Sequence, residues 1–172
     1  SLVVAGGIEQ ITRVPMFADK GAWYSDPKVI VVTRFMHMGL SADLIAVQEG
    51  YEREALDELS IRSHQRAEEA TQKGYFLGSM VPVNNPDGAA ILNYDNAVRG
   101  DLSRESLAAL PPAFESFVED GQRVVEQVYP NAQLAARHSA GNAPAFVDGA
   151  SLVLLASKIR CQALGLRPRA RV

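Results

Sequence analysis

Residues 2–7 read LVVAGG and residues 152–156 read LVLLA. The first is a short apolar run closed by two glycines, which predicts a buried strand ending in a tight turn or a close backbone approach. The second predicts another buried strand. Ser157 stands next as the cap of a last helix reaching Leu164, and Gly165 ends it. Between the two strands lies most of the chain, and it is rich in helical patterning. The order is therefore strand, long mixed insertion, strand and helix. A strand followed by glycines can also cradle phosphate, but GxGxxG is absent and the dinucleotide reading is weak.

Working outward, residues 10–27 carry Pro15, Gly21, Asp26 and Pro27 and suggest loop. Residues 29–32, VIVV, form a β-branched run that predicts a short strand. Ser41 is placed to cap a helix over 41–48, with Gly50 ending it. A longer helix is expected over 52–73, with Gly74 just past its end. Ala55, Leu56, Leu59, Ser63, Ala67 and Ala70 recur at three- and four-residue spacing as its apolar, small-residue face. Glu52, Asp57, Glu58, Arg62, Arg66 and Glu69 fill the rest, as a solvated face. Residues 80–83 and 89–92 flank Asn85-Pro86-Asp87-Gly88, a type I turn pattern, and predict a hairpin. Ser103 caps a short helix to Leu110, broken by Pro111-Pro112. Phe114, Phe117, Val118, Val124, Val125 and Val128 repeat like another amphipathic helix, stopped by Pro130. Residues 131–138 are loop-like.

The chain has 172 residues, 47% hydrophobic and 22% charged. That is the balance of a soluble globular protein, and its length suffices to bury roughly 70% of the unfolded surface. Seventeen basic residues against 20 acidic ones leave a net charge of −3, which argues against sequence-independent nucleic-acid binding. One cysteine and three histidines, with no CxxC, argue against a disulfide framework and a metal site. There is no apolar run long enough to span a membrane. The opening SLVVAGGI has no basic n-region and looks like an interior strand, not a signal peptide. The tail from Ser157 holds five of the basic groups (Lys158, Arg160, Arg167, Arg169, Arg171) and no acid; they could meet phosphates, though surface arginines are the commoner explanation.

Candidate chemistry is sparse. Ser139 sits beside His138 with Asp148 near in sequence, but neighbouring residues rarely face each other as a triad needs, and no GxSxG elbow exists. Cys161 falls inside the last helix, where packing is the commoner role for a thiol. His37, between Met36 and Met38, suits a satisfied core residue or a polar contact in an apolar ligand pocket, and composition favours the first. His64 reads as surface. Arg99 could pair with a phosphate or with a carboxylate. Residues 139–151, SAGNAPAFVDGAS, suggest a tightly turned backbone able to approach a ligand closely.

Taken together, several pieces resemble the middle of a thiolase (acetyl-CoA C-acetyltransferase or 3-ketoacyl-CoA thiolase). They are VVAGGIE at 3–9, ITRVPM at 11–16, FMHMGLSADLIA at 35–46, RSHQRA at 62–67, LSRESLAALPPAF at 102–114 and AGNAPAFVDGA at 140–150. Order and spacing fit the family along essentially the whole chain. The extra residues between Phe114 and His138 resemble an insertion of a bacterial subgroup.

The resemblance implies a partial thiolase-like α/β fold. Residues 1–9 would be a core-domain strand, 10–139 an inserted loop domain that holds coenzyme A, and 140–172 the return to the core domain. It implies that His37 and Met38 border the pantetheine and acyl pocket, and that Arg99 lies near the nucleotide end of coenzyme A. Ser106 and Leu110 would line the groove, Phe114 would wall the tunnel, and Ala140 would touch the pantetheine through its backbone. Coenzyme A enters as substrate, with no permanently bound cofactor. A cytoplasmic homodimer or homotetramer is implied.

The family's nucleophilic cysteine and its late cysteine and histidine match no position here, and Cys161 matches neither cysteine. The segment alone is expected to be inactive. Pro144 and Ala145 stand where relatives commonly carry serine and glycine, so a hydroxyl and an N–H are missing, and Phe146 adds bulk. His64 stands where some relatives have glutamine. The rival expectation is a non-catalytic coenzyme A-binding or scaffolding protein of the same fold. A third is a helical interaction domain with no ligand.

Overall fold

The computed structural model describes residues 1–172. It divides into two compact units, one made of Ser1–Lys20 with Phe146–Val172 and the other of Gly21–Ala145.

In the first unit, β1 (Leu2–Glu9) pairs antiparallel with β4 (Gly149–Ala156), in register from Leu2 opposite Ala156 to Glu9 opposite Gly149. The glycines do not end β1 as expected; the strand runs through them. Gly6 has a packing reason instead, since a methyl there would strike the Ser151 carbonyl and the Leu152 side chain. The segment after β1 turns back and is tied to β4's approach. Thr12 donates from its backbone N–H (3.0 Å) and its hydroxyl (2.6 Å) to the two oxygens of Asp148. This clamp ties the segment after β1 to the strands, and Ser1–Lys20 lies in one compact unit with Phe146–Val172. After β4, Ser157 caps α7 (Lys158–Ala163) and Gly165 adopts the left-handed conformation (φ +65°) that closes it.

In the second unit, α1 (Ala22–Ser25) leads into α2 (Pro27–Thr33). The VIVV run expected as a strand lies in α2. Asp26 accepts the Lys28 N–H at 2.8 Å, and Pro27 occupies the first helical position, so start signals prevail over β-branched propensity. α3 (Met38–Gln48) begins three residues earlier than expected: His37, not Ser41, is its cap, and Gly50 turns at φ +71° beyond its end. α4 (Arg53–Gln72) is the long helix, and Gly74 follows at φ +72°.

The buried face of α4 differs from the expected one. Asp57 and Ile61 are buried and Arg53, Ser60 and His64 half-buried, while Leu59 remains 58% exposed. The reason is the surface that α4 packs against. The neighbouring carbonyls of Leu107, Leu110 and Gly141 are acceptors that need donors, and Arg53 and Ser60 supply them. His64 is half-buried, and its Nδ1 accepts the Arg99 N–H at 3.1 Å.

A hairpin forms around the expected turn, but shorter and shifted: β2 (Val83–Asn84) pairs with β3 (Ala90–Leu92), residues 80–82 are not strand, and Gly88 donates to the Asn85 carbonyl at 2.9 Å. α5 (Arg104–Ala108) starts at Ser103 in a reciprocal cap with Ser106. The expected single helix after Phe114 is a 3-10 turn, Glu115–Phe117, followed by α6 (Val118–Val125). Leu40 and Leu44 of α3 pack with Val125 and Leu134, flanked by Met36, Phe114, Val118 and Ala132. Gln122 ties the return loop to α6, accepting the Leu134 N–H at 2.8 Å and donating to the Ala132 carbonyl at 3.1 Å. No single helix is long and apolar enough to cross a membrane.

Candidate functional site

Two groups of side chains in the second unit contain the residues singled out from sequence. The first surrounds the start of α3. The His37 ring accepts the Gly39 N–H through Nδ1 at 3.2 Å. It lies 5.2 Å from the Phe114 ring and 5.8 Å from the Phe117 ring, nearly parallel to the latter. Phe114 also presses on Gly39, where any Cβ would collide with its ring. Met38 is 75% exposed beside them.

The second group is the turn at residues 139–142. The Ser139 N–H donates to the Asn142 side-chain oxygen at 2.8 Å, and the Ser139 carbonyl accepts from the N–H groups of Asn142 and Ala143. Asn142 then donates from Nδ2 to Asp57 at 2.7 Å. Asp57 in turn accepts Arg53 Nε at 3.0 Å, and Arg53 reaches the carbonyls of Leu107 and Leu110. Arg99 Nη2 approaches the Gly141 carbonyl at 3.4 Å. A Cβ at Gly141 would overlap the side chains of Leu107 and Leu110, so this backbone lies directly on α5 and its C-terminal end. Ala140 is exposed at the turn.

The two groups are joined by a short antiparallel contact. Pro112 pairs with Ser139, and the Ala113 N–H donates to the His138 carbonyl at 2.8 Å. Phe114 therefore leaves this contact toward His37. The structure thus brings His37, Met38 and Phe114 together, and separately Arg99, Leu110 and Ala140. Ser106 is exposed, and its hydroxyl is engaged with Ser103, accepting its N–H at 3.1 Å and donating to its carbonyl at 2.9 Å. The adjoining Glu105 carboxyl is held below the ordinary carboxylate range, first by its own backbone N–H and then by the Ser103 hydroxyl.

Sequence reading missed the groups that hold these turns. Asp43, wholly buried in α3, accepts at one oxygen the N–H groups of Arg137 (3.0 Å) and His138 (2.9 Å) and lies 2.6 Å from the His138 Nδ1. Because a carboxylate oxygen accepts, that ring nitrogen carries the proton. Its other oxygen is buried without a partner in the chain. Arg137 reaches Glu52 at 3.2 Å and the Tyr51 carbonyl. Asp43 gave one signal, an acid inside the apolar run LSADLIA; Arg53 and Asp57 gave another, opposite charges one helical turn apart.

The serine-hydrolase arrangement is not built. His138 is engaged by Asp43, Ser139 Oγ is buried and accepts the Gly141 N–H, and Asp148 is bonded to Thr12. Cys161 lies half-buried in α7 as a free thiol.

The model of the thiolase N-terminal domain matches residues 1–122. The chain belongs to the thiolase family. Its fold is a partial thiolase-like α/β fold, as the solved relatives show. It is 33% identical over its whole length to 40% of a 3-ketoacyl-CoA thiolase of Photorhabdus laumondii. It is 34% identical over 97% of its length to 39% of one from Klebsiella pneumoniae. The acetyl-CoA acetyltransferase of Syntrophomonas wolfei superposes at a TM-score of 0.63 with 27% identity, over 97% of this chain and 41% of that one. Human mitochondrial 3-ketoacyl-CoA thiolase in complex with CoA gives 0.63 with 23% identity, over 97% and 40%. The dimeric peroxisomal thiolase of Saccharomyces cerevisiae gives 0.65 with 24% identity, over 96% and 38%. The chain thus spans about two fifths of the length of the curated relatives it matches.

Proposed function

We propose that this protein is a thiolase-type acyltransferase acting on acyl-CoA or 3-ketoacyl-CoA thioesters, by thiolytic cleavage or Claisen condensation. Residues 10–139 are its coenzyme A-holding loop domain, set between core-domain segments 1–9 and 140–172. The observation that carries this reading is the pinned turn bearing Ala140. Asp57, Ser60 and Arg99 fix its polar atoms, and the Ala113–His138 contact leads from it to His37 and Phe114.

A preorganised surface of this kind binds and orients a substrate without ordering its own backbone on arrival. Arg99 would meet the nucleotide end of coenzyme A, and Ser106 and Leu110 the groove. Ala140 would meet the pantetheine, with His37, Met38 and Phe114 around the acyl end. The solved CoA complex of a human relative supports the choice of ligand.

In the condensation direction of the complete reaction a thiolate attacks the thioester carbonyl, coenzyme A leaves as its thiolate and a covalent acyl-enzyme forms; in the thiolytic direction the thiolate attacks the 3-keto carbonyl and the carbon–carbon bond breaks to release a shorter acyl-CoA. A base then moves the proton of the second substrate. None of the 172 residues is assigned to those two steps. Coenzyme A is a substrate, and no resident cofactor is assigned. A cytoplasmic homodimer or homotetramer is the expected assembly, and the dimeric yeast relative supports self-association.

One observation favours a second reading, coenzyme A binding without turnover. Pro144 and Ala145 stand exposed just past the turn, where a serine hydroxyl and a further N–H are expected in relatives. Titration calorimetry of this chain with coenzyme A tests the binding that both readings need, and a thiolysis assay with acetoacetyl-CoA, run on a polypeptide that also carries the family's catalytic cysteine and histidine segments, separates the two. Binding with turnover supports the first reading, and binding without turnover the second. Absence of binding overturns both.

A further inference from the structure

The stretch after Phe114 lies outside the family motifs, yet it delivers a second aromatic ring to His37. The local geometry explains how. The 3-10 turn closes with the Phe117 N–H donating to the Phe114 carbonyl at 3.0 Å. In a 3-10 turn there are three residues per turn, so side chains three apart eclipse and point the same way. Phe114 and Phe117 therefore present both rings to one target. That target is His37, with Phe114 tilted at 40° and Phe117 stacked at 7°.

His37 is an unusual cap because its acceptor is a ring nitrogen. For Nδ1 to accept the Gly39 N–H, that nitrogen must carry no proton, so the neutral ring holds its proton on Nε2. The ring plane must also stay aligned with the first turn of α3. The two torsional wells of an imidazole share nearly one ring plane; the stacked Phe117 ring lies along that plane, and the Gly39 N–H distinguishes the flip that caps. Phe117 is itself held from behind: the next residue, Val118, packs against the Leu40, Leu44 and Val125 core. Phe117 is half exposed and does not belong to that core.

We propose that Phe117 is a positioning residue that holds the plane of the His37 imidazole against the first turn of α3, where the Gly39 N–H keeps Nδ1 as its acceptor. This rests on the reading of the site as one that holds an acyl thioester, where His37 borders the acyl end. Phe117 acts through His37 and does not enter the reaction.

The test uses the full chain with Phe117→Ala, Phe117→Leu and Phe117→Tyr. The readouts are the 15N ring signals of His37 and the Kd for acetoacetyl-CoA by titration calorimetry. The proposal expects Phe117→Ala to move the His37 signals toward a mixed tautomer and to raise the Kd for acetoacetyl-CoA about tenfold, in line with losing a positioned contact. Phe117→Tyr keeps the stack and should leave both unchanged. Phe117→Leu keeps bulk without the flat face and should shift the His37 signals while the α6 core stays folded, which separates stacking from packing. Unchanged His37 signals in Phe117→Ala and Phe117→Leu overturn the proposal. If the parent chain binds no coenzyme A, the proposed function fails, and the ring signals alone still decide for or against the positioning role.

Discussion

Asp43 and His138 are 95 residues apart in the chain and 2.6 Å apart in the fold. One carboxylate oxygen gathers the ring nitrogen of His138 and two backbone N–H groups, and so fastens α3 to the segment entering the 139–142 turn. Removing one partner of a buried charged contact strands the other, at a cost of about 3–5 kcal/mol. Asp43→Ala should lose stability of that order in urea unfolding. Asp43→Glu restores the carboxylate and should recover part of it. His138→Leu should cost less than Asp43→Ala, because the two N–H groups keep their acceptor.

Gly39 admits no side chain against Phe114. Gly39→Ala should force that ring away, destabilise the unit by about 1–3 kcal/mol and weaken coenzyme A binding more than Ser41→Ala does. Calorimetric titration of the two variants checks the contrast.

The Asn142–Asp57–Arg53 chain places a half-buried amide, a buried carboxylate and a guanidinium in series. Asn142→Ala should cost about 1–3 kcal/mol by leaving Asp57 short of a donor, and should raise the Kd for coenzyme A by loosening the turn. Asn142→Asp places two carboxylates together and should be worse. Equal effects of the two variants in thermal unfolding contradict this account.

Asp148 has its carboxyl held below its ordinary value of 3.8, first by the Thr12 hydroxyl and then by the Thr12 N–H. A depressed folded-state pKa contributes stability that is present above the unfolded pKa and lost as pH falls through the folded one. The clamp should therefore hold at neutral pH and release progressively below about pH 4. Hydrogen exchange of the Thr12 amide against pH reads this directly. Thr12→Val should flatten the pH dependence and speed the exchange at neutral pH.

Much of the site is legible from sequence wherever local rules operate. Ser103, Gly74, Gly88 and Ser157 act at short range, and each marks the end or turn expected of it. The run at 29–32 misleads because β-branched residues satisfy a helix when Asp26-Pro27 has already started one. The buried face of α4 is illegible for a deeper reason. Hydrophobic periodicity finds faces that meet apolar partners, and α4 meets carbonyls. Asp43 belongs to the same class: its partners are backbone N–H groups far along the chain, which leave no side-chain pattern. Phe117 looks like one more apolar position of a helix, and only the 3-10 geometry turns it onto His37.

β1 and β4 are also exposed. Val4, Ile8 and Leu152 are each at least 66% accessible, on strands whose outer edges are unpaired within the unit. The 172-residue chain should self-associate in a concentration-dependent way, and Leu152→Lys should reduce this in sedimentation velocity. A monomer at all concentrations contradicts it.

Pairing Leu2 with Ala156 also has a consequence in time. Nearly the whole chain must be made between one strand and its mate. Closing such a span costs about 4 kcal/mol of chain entropy when the intervening chain is loose, and less once the second unit has folded and shortened it. At ribosomal speeds the interval is on the order of ten seconds. Through that interval β1 is an emerged, apolar, unpaired segment. Its fate in the cell then depends on whatever shields nascent chains.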